Sequence, residues 1–207
     1  MKLKTLLFGG AFDPPHKSHF DTASAALRYE ELKNFPVELW FVPCHSNEFG
    51  HEELTSMEHR EAMLSRIITH LPKTRMYVDK LSNDGIYATI VRLINKYPER
   101  EFYYVMGADQ AIKIRGWRNS RNLLKTIPFI VIAKSYFTKL VLFDWCFNPP
   151  HIFINFPNVT HLKKDASHRS SDIRSIYRNN WKQKNKNKPE GVTYDTHKYI
   201  LKNNLYQ

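Results

Sequence analysis

Two histidines three residues apart, His16 and His19, follow a glycine pair, Gly9-Gly10, across the short segment Ala11-Phe12-Asp13-Pro14-Pro15. Glycine has no Cβ and admits φ > 0, so a strand that runs into Gly9-Gly10 lets a phosphate approach the backbone closely. A helix starting near Lys17 would offer its free N–H groups and the positive end of its dipole to the same anion. Three residues make nearly one helical turn, so both imidazoles can face one ligand and donate to phosphate oxygens. The segment is neither the G-x-G-x-x-G fingerprint nor the G-x-x-x-x-G-K-[ST] loop, so a different phosphate motif is needed. Judged alone, a His-x-x-His pair is a strand-turn-helix with structural histidines. Zinc would require third and fourth ligands at definable spacing, and none stands out.

Three more groups carry polar chemistry. Gly107-Ala108-Asp109 follows an apolar run, with Trp117 eight residues beyond Asp109. Asp109 can accept hydrogen bonds from ribose hydroxyls and Trp117 can stack on a planar ring. The ordinary readings are a helix N-cap and a half-buried core tryptophan. Ser170-Ser171 can cap a helix in which Arg174, one turn in, adds a charge-assisted contact. Arg60 sits on an amphipathic stretch, where alone it reads as a surface residue.

These residues need a scaffold, and the chain alternates strand and helix signals. Leu3 to Phe8, Val37 to Val42, Met76 to Val78, Phe102 to Met106 and Phe129 to Ala133 read as strands. Helices are expected from Lys17 (Phe20, Ala23, Ala26 and Leu27 inward), after the capping box Thr55-Ser56-Met57-Glu58, over Ile86 to Asn95, near Leu123-Leu124, and over Ser171 to Asn180 and Tyr194 to Asn203. Such alternation implies an α/β fold, a Rossmann-like doubly wound parallel sheet with closing C-terminal helices. From Tyr136 to Asn158 aromatic residues and Asn148-Pro149-Pro150 break any simple period. No internal repeat or splitting linker is seen, so one domain over 1–207 is expected, with a lysine-rich surface loop at 181–190 and a closing helix and tail at 191–207.

The 207 residues, 42% hydrophobic, suffice for a real core. Two cysteines build no disulfide framework and no leader-like segment opens the chain, which fits a reducing, cytoplasmic setting. No apolar run approaches the roughly 20 residues that cross a bilayer, so no membrane partner is expected. A net charge of +11 calls for an anionic partner, which charge alone does not choose. Nucleotide phosphates and nucleic acid both qualify.

The opening segment resembles the H-x-G-H signature of the nucleotidylyltransferase superfamily, and specifically the G-G-x-F-D-P-x-H-x-x-H opening of nicotinate mononucleotide adenylyltransferases. His59-Arg60-Glu61-Ala62-Met63-Leu64 is similar to that family's H-R-x-x-M-L helix, Gly107-Ala108-Asp109 with Trp117 to its G-x-D...W element, and His168 to Arg174 to its I-S-S-T-x-I-R segment. The resemblance implies transfer of AMP from ATP to nicotinate mononucleotide, giving deamido-NAD and pyrophosphate in NAD biosynthesis. His16 and His19 are then the catalytic pair. ATP would be bound by Gly9, Gly10, Ala11, Phe12, His16, His19, Ser170, Ser171, Ile173 and Arg174. The mononucleotide would be bound by Asp13, His45, Arg60, Thr89, Gly107, Asp109 and Trp117. Mg²⁺ would come with ATP, and no protein metal ligands are assigned. Partners are thus ATP and a pyridine mononucleotide, with a homo-oligomer left open.

The departures are Ser18 where the signature has glycine, His168 and Arg169 near the late helix, and no lysine in Pro43 to Leu54. The alternatives are nicotinamide mononucleotide as acceptor, a relative that binds nucleotide without turnover, and a basic nucleic-acid-binding protein.

Overall fold

The computed structural model describes residues 2–29, 35–45, 54–78, 85–134, 144–156, 169–182 and 187–207. Six strands, β1 (Leu3–Gly10), β2 (Val37–Pro43), β3 (Thr74–Met76), β4 (Arg100–Gly107), β5 (Phe129–Lys134) and β6 (Ile152–Phe156), form one sheet in the order β3-β2-β1-β4-β5-β6. Every neighbouring pair is parallel. The helices are α1 (Lys17–Leu27), α2 (Met57–Ile68), α3 (Ile86–Lys96), α4 (Ala108–Ala111), α5 (Ser120–Thr126), α6 (Ser170–Lys182) and α7 (Tyr194–Lys202). This is the expected Rossmann-like α/β architecture. Among the described residues no helix is long and apolar enough to cross a membrane.

Parallel strands covered on both faces must be apolar on both faces. All seven residues of β2 are buried, as are Leu7, Trp40, Tyr104 and Met106 toward one face and Leu6, Leu39, Phe41 and Val105 toward the other. The first face packs on Ile90 and Leu93 of α3 and Leu123 of α5. The second packs on Ala23 and Ala26 of α1 and Leu64 of α2. Each fully buried side chain of this size contributes about 1.5–3 kcal/mol. A third, smaller core joins Met63 of α2 to Ile173 and Tyr177 of α6, Val192, Ile200 of α7 and Leu205.

Several boundaries differ from expectation for local reasons. β3 covers Thr74–Met76 instead of 76–78, because its extent is set by pairing with Leu39–Phe41 of β2. α2 is capped by Ser56, whose hydroxyl accepts from the His59 N–H at 3.4 Å, and not by Thr55, whose backbone is used elsewhere. The region around Asn148-Pro149-Pro150 contains β6, an edge strand unseen in the sequence: the prolines precede it, and its register on β5 begins at Ile130↔Ile152. α6 extends to Lys182, so Trp181 and Lys182 belong to the helix and not to the lysine-rich loop, of which residues 183–186 lie outside the described set. Both cysteines are free; burial pushes the Cys146 thiol up to about 12.

His151 ties β6 to its neighbour: its Nδ1 accepts the Phe129 N–H at 3.2 Å, and Trp145 packs edge-on to its ring. Burial lowers its pKa below the ordinary 6.5. The neutral ring is the folded form, so its contribution is present above about 6.5 and lost as pH falls through the depressed value. We predict that thermal unfolding midpoints measured from pH 7.5 to 5 fall less steeply for His151→Gln, which keeps an acceptor but does not titrate, than for the wild type. Parallel curves would contradict this.

Candidate active site

The carboxyl end of β1 lies where the strand order reverses, between β2 and β4, and open α/β sheets bind ligands in that crevice. A Cβ on Gly9 would collide with the Tyr104 hydroxyl of β4, and one on Gly10 would lie 3.1 Å from the Phe12 ring. Packing therefore opposes a side chain at Gly9 and leaves little room for one at Gly10. Phe12, at φ 51 and 1% exposed, wedges its ring between Phe8, Phe41 and His19 at centroid distances of 5.6, 5.5 and 4.9 Å.

That wedge helps fix the histidine pair. The His16 backbone N–H donates to His19 Nδ1 at 3.2 Å, and the two ring centroids are 3.9 Å apart. With Nδ1 acting as acceptor, a neutral His19 carries its proton on Nε2, a tautomer assigned from this bond. His19 is thereby a hydrogen-bond donor at the N-terminus of α1, as an anion requires. Ser18, in place of the signature glycine, is buried beneath this helix start.

The segment between the glycines and the histidines is held from several sides. The Asp13 carboxylate is fully buried: Oδ2 accepts from the Thr55 N–H at 3.0 Å and Oδ1 from the Tyr206 hydroxyl at 2.6 Å. The Asp13 carbonyl accepts from Arg174 at 2.6 Å, the Pro14 carbonyl from the Ser170 hydroxyl at 3.0 Å, and the Lys17 N–H donates to the Gly191 carbonyl at 2.7 Å. Arg60, 2% exposed, spreads its guanidinium over the carbonyls of Thr55, Ala11 and Cys44 at 2.8, 3.0 and 2.7 Å.

These contacts revise several sequence expectations. Asp13 and Arg60, expected on the mononucleotide, spend the polar atoms just named inside the chain and brace the loop. Thr89, also expected there, is 2% exposed within α3 and has no open face. Ile173 packs in the small third core, and its N–H donates to the Arg169 carbonyl. Arg174 reaches the loop backbone from its buried position. His168 and most of Pro43 to Leu54 lie outside the described residues.

Other expected residues keep exposed or half-buried side chains near the carboxyl ends of the strands or at the start of α6. Asp109 is exposed in the first turn of α4, directly after β4, where a Cβ on Gly107 would stand 2.5 Å from its Oδ1. Trp117 is half-buried, with its ring edge-on to Tyr104 at 6.0 Å, and borders a hollow of about 330 Å³ shared with Asn119 to Asn122. His45 is half-buried just past β2, and Ser171 is exposed at the start of α6. Tyr104, which touches both the Gly9 position and Trp117, was missed in the sequence because it looks like any core residue of β4. Tyr206 was missed because its partner is 193 positions away.

Fold and site together define a Rossmann-like α/β protein with an anion-suited loop at its topological switch point. Residues 7–176 match the cytidylyltransferase-like family, and the chain belongs to that family. It is 31% identical over 131 residues to a probable nicotinate-nucleotide adenylyltransferase of Oceanobacillus iheyensis, a match covering 62% of this chain and 66% of the relative. A probable nicotinate-nucleotide adenylyltransferase of Endomicrobium trichonymphae is 26% identical over 211 residues, 99% of each chain. The chain spans 66% and 61% of the length of the Oceanobacillus and Geobacillus kaustophilus relatives. Its fold is similar to that of Plasmodium falciparum nicotinic acid mononucleotide adenylyltransferase complexed with NaAD, with a TM-score of 0.73 at 23% identity over 98% of this chain and 97% of that one.

Two consequences can be measured. Gly9→Ala should destabilise the chain in urea unfolding, and adding Tyr104→Phe, which removes the colliding hydroxyl, should restore part of the loss. Replacing Arg60 by Met strands three carbonyls and should cost roughly 3 kcal/mol or more. A change under about 1 kcal/mol would mean that these bonds brace nothing.

Proposed function

We propose that this chain transfers the adenylyl group of ATP to nicotinate mononucleotide, forming deamido-NAD and releasing pyrophosphate. The observation that carries the reading is the His16 N–H bond to His19 Nδ1, which leaves Nε2 as a donor at a helix start beside the strand-order reversal. The acceptor is drawn from the relatives' names and from the Asp109 and Trp117 rim.

A phosphate oxygen of the mononucleotide attacks the α-phosphorus of ATP in line. The new O–P bond forms as the bond to the β-phosphate oxygen breaks, and pyrophosphate leaves with the electron pair. No protein nucleophile is required, so catalysis is positioning plus stabilisation of charge on the phosphoryl oxygens. In this reading His19 and His16 donate to α- and β-phosphate oxygens beside the Gly9-Gly10 backbone. Ser171 and the start of α6 receive the β/γ end. Asp109 takes the acceptor's ribose hydroxyls, Trp117 stacks on its pyridine ring, and His45 lines the same side.

Among the described residues no group of three or more His, Cys, Asp or Glu could hold a metal ion. Mg²⁺ in this reading would arrive with ATP and, when bound to the phosphates, would offset charge on the departing pyrophosphate.

His19→Ala should lower kcat on the order of 10²–10³-fold, the scale of one lost transition-state donor. Its urea unfolding free energy should stay within about 1 kcal/mol of wild type. Near-normal turnover would sink the assignment. Trp117→Ala should raise KM for the mononucleotide by roughly tenfold, the equivalent of about 1.4 kcal/mol of lost stacking, without changing KM for ATP. Equal effects on both substrates would remove Trp117 from the acceptor side.

A further inference from the structure

We infer that Tyr206 is a positioning residue for the histidine pair, acting through the Asp13 carboxylate. The kinetic part of this inference rests on the adenylyl-transfer reading above. Asp13 lies three residues before His16, in the only covalent link between the end of β1 and the start of α1. Its two carboxylate oxygens are divided between elements far apart in sequence: the backbone ahead of α2 through Thr55, and the segment after α7 through the Tyr206 hydroxyl at 2.6 Å. A fully buried carboxylate must find donors for its charge, so the loop settles where both are in reach.

The Tyr206 end of this contact is itself held firmly. Asn204, at φ 51, closes α7 in the left-handed conformation common just past a helix end, while Tyr206, at φ 64, adopts one uncommon for a bulky residue. Between them the Leu205 N–H donates to the Ile200 carbonyl at 3.1 Å and the Leu205 carbonyl accepts from Trp181 Nε1 at 3.0 Å. The Tyr206 ring rests on Tyr177 at a centroid distance of 5.9 Å. This closely tied segment delivers the Tyr206 hydroxyl to the Asp13 carboxylate at 2.6 Å, with the Thr55 side chain and Met63 Sδ beside it. Burial, then the neighbouring Asp13 charge, push the Tyr206 pKa up, so it stays a donor at any working pH. Arg174 and Ser170 of α6 grip the backbone of the same loop. The small third core built by α2, α6 and α7 thereby presents four contacts, counting Gly191 to Lys17, to the stretch that carries His16.

The test uses the full chain with Tyr206→Phe, which keeps the ring and deletes only the hydroxyl. Hydrogen exchange should speed up by tenfold or more at the His16 and Lys17 amides, which bond His19 Nδ1 and the Gly191 carbonyl, while amides within β1 stay unchanged. In the adenylyl-transfer assay kcat should fall about tenfold with KM for both substrates within about threefold, as a slight misplacement of the donors requires. The double variant Tyr206→Phe with Asp13→Ala should be no slower than Asp13→Ala alone, because the carboxylate that the Tyr206 hydroxyl bonds is already gone. Unchanged exchange at His16 and Lys17 overturns the inference, and so does faster exchange with kcat intact or a fully additive double variant. A wild-type chain without turnover would instead contradict the adenylyl-transfer reading, and the exchange experiment would still decide whether Tyr206 holds the loop.

Discussion

β1 is hydrogen-bonded to parallel strands on both sides, so its carboxyl end opens into the crevice where the strand order turns back. The chain must leave that end through a turn with little room, since Tyr104 blocks any side chain at Gly9 and Phe12 crowds Gly10. The narrow exit sends residues 11–16 under α2 and α6 and brings His16 and His19 to the crevice at the first turn of α1. The phosphate access that the proposed reaction needs and the steric limits at this turn select the same two glycines.

A turn this enclosed buries polar atoms, and polar atoms buried without partners cost more than the bonds themselves contribute. The chain meets that requirement from distant positions: Thr55 and Tyr206 on the Asp13 carboxylate, Arg60 on three carbonyls, Arg174 and Ser170 on two more. Arg60 and Arg174, cations that read as ligand-binding in sequence, thus also act as braces. Left to the proposed ligands are the donors at His16 and His19, the start of α6 with Ser171, and Asp109, Trp117 and His45 at the carboxyl ends of the strands. A site of this kind works by holding donors in fixed geometry, which suits in-line transfer without a covalent intermediate.

Much of this was legible in the sequence. β1, β2, β4 and β5 are apolar because both faces are covered, and their bounding glycines and prolines are local signals. The edge strands were less visible: β3 is three residues long and takes its extent from β2, and β6 hides behind two prolines. At the site, Gly9, Gly10, His16, His19, Asp109 and Trp117 could be singled out from type and spacing. Whether an acid or an arginine faces a ligand or a carbonyl depends on partners such as Tyr206 for Asp13 and Ala11 for Arg60, and no local pattern records those. The burial of Thr89 is hidden for the same reason, since a hydroxyl's place in the sequence does not record what packs over it.

The central claim is that the crevice joins ATP to a pyridine mononucleotide. Its most direct test is pyrophosphate release by the full chain with ATP and Mg²⁺, with nicotinate mononucleotide and nicotinamide mononucleotide run side by side and the dinucleotide product identified by mass. The account predicts pyrophosphate and deamido-NAD in equal amounts, with nicotinate mononucleotide the faster acceptor. No pyrophosphate with either acceptor would contradict it.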